Sequence, residues 1–224
     1  MTNFFKKTIS KQNNNTEKES EVVCPYCKKV LEQKPQRKKK CPFCNNDIYV
    51  RSKQNIFSST LLTKEDAMAV DWLKNLQNFG IKDNDFINKR RMLSKKFGKE
   101  AKSTDVIWGL FNELILKTKD LHSLKMIYYE MALFLNQEGK DCFSVLQQSA
   151  KMELMEFKQE GFIKKVRILT AGEDSCEACR RLENKVFTIE EALEKMPIPC
   201  NECTHKLYDE KRGFCRCCYV AEIE

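Results

Sequence analysis

The chain has 224 residues, of which 42% are apolar and 32% charged, with only 7 Gly and 5 Pro. This composition is typical of a helix-rich globular protein and excludes a fibrous or wholly disordered one. No apolar run approaches the roughly 18 residues that span a bilayer, and no apolar signal-peptide core follows Lys6 and Lys7. We therefore expect a cytoplasmic protein without a membrane partner.

The net charge of +8 is distributed unevenly. Residues 1–60 contain 13 Lys/Arg and 5 Asp/Glu, whereas residues 61–224 contain 27 of each class. An excess of positive charge at one end indicates an acidic partner such as nucleic acid or a membrane surface. Of the two, we expect nucleic acid.

Residues 1–21 are polar and are expected to form a disordered tail. In residues 22–52, two C-x2-C pairs separated by thirteen residues comprise Cys24, Cys27, Cys41 and Cys44. In a reducing compartment such cysteines are metal ligands more often than disulfides, and four thiolates complete a tetrahedral zinc site with no open position for water. The doubled Cys-Pro-x-Cys motif resembles the zinc-ribbon family, which implies that these four cysteines bind one Zn²⁺.

The spacer between the two pairs is strongly basic and is expected to form the tip of a hairpin. Its cations are Lys34, Arg37, Lys38, Lys39 and Lys40. Exposed cations of this kind bind the phosphates of nucleic acid, and the alternative is a solvated tip that offsets the charge of the four-thiolate site. Ribbons often have Gly directly after each pair, whereas this chain has Lys28 and Asn45.

Residues 53–63 are expected to be a linker, with a strand as an option, and residues 64–161 a helical domain. Apolar side chains recur there with helical spacing. The predicted helices run from Thr63 to Gly80, from Asp83 or Asp85 to Gly98, from Ser103 or Thr104 through Ile115, from Asp120 to Gly139, and from Asp141 to Gly161. Short connections predict antiparallel neighbours, and therefore a helical bundle or helical hairpins. Cys142 is interpreted as a small buried hydrophobic residue, and we identify no catalytic or cofactor-binding constellation.

Residues 162–224 are expected to form a cysteine-rich zinc-binding module. A strand is predicted over Phe162 to Leu169, and a short helix with a capping box over Thr188 to Met196. The candidate ligands are Cys176, Cys179, Cys200, Cys203, His205, Cys215 and Cys217; with Cys218 they number eight, enough for two tetrahedral Zn²⁺, and one Zn²⁺ with spare thiols is the simpler alternative. We expect one Zn²⁺ with Cys176 and Cys179 as ligands. The spacing C-x2-C, twenty residues, C-x2-C is typical of a zinc site and offers Cys200 and Cys203 as the other two.

A second set of ligands follows from a resemblance over residues 166–220. Several segments of this region resemble the C-terminal tail of Mu F-like phage head morphogenesis proteins. They are the stretch Leu169 to Cys179, Lys185-Val186-Phe187, Pro199, His205 and Cys215-Arg216-Cys217. The resemblance implies Cys176, Cys179, His205 and either Cys215 or Cys217 as ligands. The chain departs from that pattern at Asn184, where Gly is usual, and in the nine residues between His205 and the Cys-Arg-Cys element.

The expected fold is mainly α, with a central helical bundle or helical hairpins flanked by the zinc ribbon and the cysteine-rich zinc module. The leading hypothesis is a non-catalytic zinc-binding adaptor whose ribbon contacts nucleic acid. The alternative is a phage- or prophage-related structural or head-assembly protein that docks protein partners. A third hypothesis, a metal-dependent nuclease, lacks an identifiable His/Asp/Glu constellation, and no small-molecule substrate is evident.

Overall fold

A computed structural model describes residues 21–207 and 213–222. The predicted tail, apart from its last residue, lies outside the described residues. Within them, no helix is both long enough and apolar enough to cross a membrane.

The N-terminal part is a small antiparallel sheet with strand order β1-β2-β3. Its strands are β1 (Lys39–Lys40), β2 (Asp47–Val50) and β3 (Leu61–Leu62), with Lys39 opposite Ile48 and Tyr49 opposite Leu62. The predicted linker thus returns as the third strand of this sheet. Because successive strand residues point to opposite faces, Leu61 packs with the buried cysteines and Leu62 packs in the helical core.

Five helices follow, and each predicted segment between residues 63 and 161 is confirmed as a helix. They are α1 (Lys64–Gln77), α2 (Asp83–Phe97), α3 (Ser103–Lys117), α4 (Leu121–Gln137) and α5 (Phe143–Glu160). Helix α1 begins after Thr63, whose side chain accepts a hydrogen bond from the amide of Asp66. Helices α2 and α5 end at Gly98 and Gly161, both in the left-handed conformation that favours glycine at this position.

The core of the helical part is built around aromatic side chains. The Phe134 ring lies 5.6 Å from Trp72 and 5.9 Å from Phe111 between ring centroids, and all three side chains are buried. The Trp72 indole donates a hydrogen bond to the Gln137 side chain at 2.6 Å, which satisfies its polar group. The three rings therefore form part of one apolar core cluster.

The C-terminal part is a second three-stranded antiparallel sheet, with strand order β5-β4-β6. Its elements are β4 (Lys165–Leu169), α6 (Glu177–Arg180), β5 (Val186–Thr188), α7 (Ile189–Lys195) and β6 (Cys218–Glu222). Thr188 and Glu191 form the predicted capping box of α7. Val166 and Ile168 of β4 pack with Leu154 of α5 and Ile189 of α7 in a shared apolar cluster.

The middle of the chain is therefore helical, as expected, whereas both cysteine-rich ends also contain sheets. The N-terminal sheet is fixed to the helices by polar contacts as well. The amide of Lys64 donates a hydrogen bond to the Tyr26 hydroxyl at 2.8 Å. The Arg51 guanidinium forms a bidentate ion pair with the Asp71 carboxylate, with N–O distances of 2.9 and 2.5 Å. Two parallel N–H···O bonds of this kind also fix the relative orientation of the partners.

Candidate metal centres

The N-terminal centre brings together the four cysteines predicted from their spacing. Their sulfur atoms all lie within 4.8 Å of one another, with 3.8 Å between Cys24 and Cys44 and between Cys27 and Cys41. The edge of a tetrahedron is about 1.63 times its centre-to-corner distance, so Zn–S bonds of about 2.3 Å require sulfurs about 3.8 Å apart. The group can hold a metal ion, and its spacing suits a tetrahedral one.

Two equivalent backbone turns position these thiols. In the first turn, the Cys24 amide donates to the Lys29 carbonyl and the Lys28 amide donates to the Cys24 carbonyl. In the second turn, the Cys41 amide donates to the Asn46 carbonyl and the Asn45 amide donates to the Cys41 carbonyl, both at 2.9 Å. Lys28 and Asn45 have φ values of +61° and +58°. Each pair of cysteines is therefore followed by a left-handed residue, in the position where ribbons often have Gly.

The same turns favour thiolate formation at this centre. Burial acts to raise the pKa of Cys41, but hydrogen bonds from the amides of Cys44 and Phe43, together with those from the thiols of Cys24 and Cys44, lower it to about 6. Burial raises the pKa of Cys24 to about 11. One sulfur of the group is thus easily ionised, and a bound cation would favour loss of the remaining protons.

The C-terminal centre contains five thiols in two overlapping groups. Cys176, Cys179 and Cys203 form one group and Cys179, Cys215 and Cys217 the other, with Cys179 shared. The sulfurs of Cys176 and Cys203 are 3.8 Å apart, as are those of Cys179 and Cys215. These are again tetrahedral edge lengths for zinc–thiolate bonds, so this centre can also hold a metal ion.

Cys215 is the most readily ionised thiol of this centre. Hydrogen bonds from the thiols of Cys203 and Cys217 lower its pKa strongly, and the amide of Cys200 donates to its sulfur at 3.3 Å. At Cys176, burial acts to raise the pKa, but hydrogen bonds from the amides of Thr204 and Cys179 help to lower it to about 6. Each of the two groups therefore contains a thiol whose pKa is lowered, so that its thiolate forms readily and can bind a cation.

The five thiols match neither predicted ligand set completely. Among the described residues, the metal-sized groups do not include Cys200 or His205. Cys200 contributes its backbone amide, and the carbonyl of His205 accepts a hydrogen bond from the amide of Phe214 at 2.7 Å. The arrangement combines Cys203 from the paired-spacing set with Cys215 and Cys217 from the resemblance set.

Strand pairing explains this combination. Strand β6 is antiparallel to β4, with Cys218 opposite Leu169, so Cys217 lies beside the segment that leads from β4 to Cys176. The centre also packs against helices α4 and α5. The Phe214 ring is fully buried and lies 5.7 Å from Tyr129, and Cys142 is buried in the same cluster, as predicted.

The basic spacer between the two N-terminal cysteine pairs is exposed, but its cations differ in their partners. Lys38 and Lys40 form ion pairs with Asp47 at 3.0 and 3.4 Å. Within the part of the chain that the structure describes, Lys34, Arg37 and Lys39 have no acidic partner. Three of the five predicted nucleic-acid contacts are thus unpaired cations.

No protein-family model, curated protein or solved structure matches this chain. The zinc-ribbon and Mu F-like resemblances therefore depend on the motifs and their spacing alone. What the geometry adds is two clusters of thiols with separations that suit a tetrahedral metal ion.

Proposed function

We propose that the protein is a non-catalytic zinc-binding adaptor whose ribbon contacts nucleic acid. The observation that carries this proposal is the four-thiol cluster of Cys24, Cys27, Cys41 and Cys44, with an exposed basic segment between its two halves. Zn²⁺ is the ion that most often occupies sites with four cysteines, and four thiolates leave no position for a reactive water. The role of this zinc would be to fix the fold of the ribbon.

The basic segment is the part of the ribbon that would contact nucleic acid. Lys34, Arg37 and Lys39 are exposed and have no acidic partner in the described part of the chain. Cations of this kind displace the counterions that condense on nucleic acid, and this release drives binding that weakens steeply with salt. A small ribbon attached to a helical domain would then connect nucleic acid to whatever the helical part contacts.

The test is a salt titration of nucleic-acid binding by the full, metal-loaded chain. Fluorescence anisotropy with a labelled duplex would compare wild type with the triple variant Lys34→Gln, Arg37→Gln, Lys39→Gln. Removal of three cations that neutralise phosphates should reduce the slope of log K against log salt by about 2.7 on a duplex. A matched control is the triple variant Lys74→Gln, Lys119→Gln, Lys151→Gln, which removes the same charge at exposed positions of the helical part. Equal weakening in both variants, or no binding at low salt, would contradict the proposal.

A second candidate is a structural or assembly role of the kind that the Mu F-like resemblance implies. The observation in its favour is that Cys179 lies in one group of thiols with Cys176 and in the other with Cys215 and Cys217, the two alternatives that the resemblance gives for the last ligand; His205, which the resemblance also marks, belongs to neither group. The centre would then act as a rigid closure that presents the second sheet to protein partners. Portal, terminase and capsid genes beside the gene for this chain would support this candidate, and a neighbourhood without them would count against it.

A further inference from the structure

A second basic surface lies far along the chain from the ribbon, on the last two turns of α2 and the loop that follows. We call it the α2 basic face; its members are Arg91, Lys95, Lys96, Lys99 and Lys102. All five side chains are exposed. The only acidic residue between positions 91 and 102 is Glu100. Within residues 21–207 and 213–222, none of the five cations forms an ion pair.

The two cations on the inner face of the same helix, Lys89 and Arg90, each have an acidic partner, in contrast to the outer cations. Lys89 forms an ion pair with Glu113 at 2.5 Å, and Arg90 lies 3.7 Å from Asp66. The Arg90 guanidinium also lies over the ring of Phe86, 5.0 Å from its centroid. These contacts hold α2 firmly on the core, so its outer cations are presented on a rigid element.

The loop after α2 keeps further cations beside the end of the helix. Gly98 ends α2 with φ of +65°, and the chain then turns back. The amide of Ala101 donates to the Ser94 hydroxyl at 2.9 Å, and the Ala101 side chain is buried. Lys99 and Lys102, on either side of this anchor, are therefore held close to the last turn that carries Lys95 and Lys96.

Favourable interactions within the helices explain the presence of only some of these five cations. Lys95 and Lys96 are in the last turn of α2, where cations interact favourably with the helix dipole. Lys102, in contrast, is the N-cap of α3 and makes no capping hydrogen bond, and a cation at a helix N-terminus is unfavourable. Five unpaired cations in twelve residues also repel one another. An anionic ligand would remove these costs.

We propose that the α2 basic face binds the phosphate backbone of nucleic acid as a second contact, separate from the ribbon. Arg91 and Lys95 are spaced by four residues, about 6 Å along the axis of α2, so that these two cations can reach successive phosphates; Lys99 follows just beyond the end of the helix. Phe97 is 58% exposed among these cations, and the Lys96 ammonium lies over its ring, 5.5 Å from the centroid. An unpaired base would stack on the other face of this ring. Met92 and Phe97 are the only large exposed apolar side chains of α2. They are too few for the apolar face of a membrane-surface helix.

This inference takes its class of partner from the proposed function, but it concerns different residues. The experiment uses the full metal-loaded chain and measures anisotropy with a labelled single strand and a labelled duplex over a range of salt concentrations. The α2 variant carries Arg91→Gln, Lys95→Gln, Lys96→Gln and Lys99→Gln, since Gln keeps the helix propensity of Lys. The control variant removes the same charge elsewhere and carries Lys74→Gln, Lys119→Gln, Lys151→Gln and Lys185→Gln.

We expect the α2 variant to bind at least tenfold more weakly than the control variant, with a salt slope smaller by about 0.7 to 0.9 for each phosphate that is no longer neutralised. Phe97→Ala should weaken single-strand binding and leave duplex binding unchanged. If the α2 and control variants bind equally, the inference is wrong, and the ribbon variant still tests the proposed function by itself. If the α2 variant binds more weakly and the ribbon variant does not, the inference holds and the ribbon contact fails. Binding to anionic phospholipid vesicles without binding to nucleic acid would overturn the partner proposed here.

Discussion

Lys28 provides a sensitive test of the ribbon geometry, because its backbone has φ of +61° and its side chain is exposed. A non-glycine residue in the left-handed region costs about 1–2 kcal/mol. Glycine avoids this cost but loses about 0.5–1 kcal/mol through the greater freedom of the unfolded chain. Lys28→Gly should therefore stabilise the turn by about 0.5–1 kcal/mol, which corresponds to a two- to fivefold smaller opening constant.

The measurement is native-state hydrogen exchange, resolved by NMR, on the metal-loaded chain. The reporting amides are those of Cys24, bonded to the Lys29 carbonyl, and of Leu31, bonded to the Val22 carbonyl. Both lie in the ribbon, so they report its local opening separately from that of the helices. Their exchange should slow by the same two- to fivefold factor in Lys28→Gly relative to Lys28→Ala.

Position 29 is the matched control, since Lys29 is not among the residues with positive φ. The Lys29 side chain contacts the Phe43 ring, so the comparison is between Lys29→Gly and Lys29→Ala, neither of which can make that contact. Here Gly should be the less stable of the two by about 0.5–1 kcal/mol. The same ranking of Gly and Ala at positions 28 and 29 would refute the reasoning.

Three other changes test the metal centres and the helical part. Cys203→Ser should release metal at a lower chelator concentration than wild type, because it removes a thiol 3.8 Å from the Cys176 sulfur. Cys200→Ser keeps its backbone hydrogen bond to the Cys215 sulfur and should release metal as wild type does. Elemental analysis after dialysis measures both variants, and equal metal release would contradict the five-thiol set. Acidification should release metal, since protons compete for the thiolates, and this competition should steepen below about pH 6, where Cys41 and Cys176, whose pKa values in the metal-free centres are about 6, also take up protons; metal content that stays constant down to pH 4 would contradict it. Thr63→Ala should destabilise α1 by about 1 kcal/mol through removal of its cap and lower the melting temperature by about 2–4 °C, while Thr63→Ser should retain most of the stability.

Local patterns in the sequence predicted the helices well. The apolar spacing and the residues at the ends place all five central helices, and the Thr188 and Glu191 capping box places α7. The four N-terminal cysteines were also predictable, because two short C-x2-C turns fix each pair of thiols locally. The linear pattern offered a strand in the linker only as an option, since a two-residue strand such as β3 has too few residues to show alternation.

The α2 basic face was missed for a different reason. The sum of charges over residues 61–224 is zero, so the overall balance hid a local excess. A window of about twelve residues along the sequence would have found five cations and one acid between positions 91 and 102. Even so, such a window does not separate these cations from Lys89 and Arg90, whose acidic partners Glu113 and Asp66 come from other helices.

The sequence by itself determined the helices, the group of four N-terminal cysteines and the presence of a second cysteine-rich centre, because each depends on residues that lie close together along the chain. Only the tertiary structure decided which thiols meet at that second centre. Antiparallel pairing of β6 with β4 brings Cys217 beside the segment that leads to Cys176, across some forty residues of sequence. Spacing rules apply to ligands on one turn of the chain. They cannot predict which later residues join Cys176 and Cys179 when strand pairing brings them from distant parts of the sequence; the candidates were Cys200, Cys203, His205, Cys215 and Cys217.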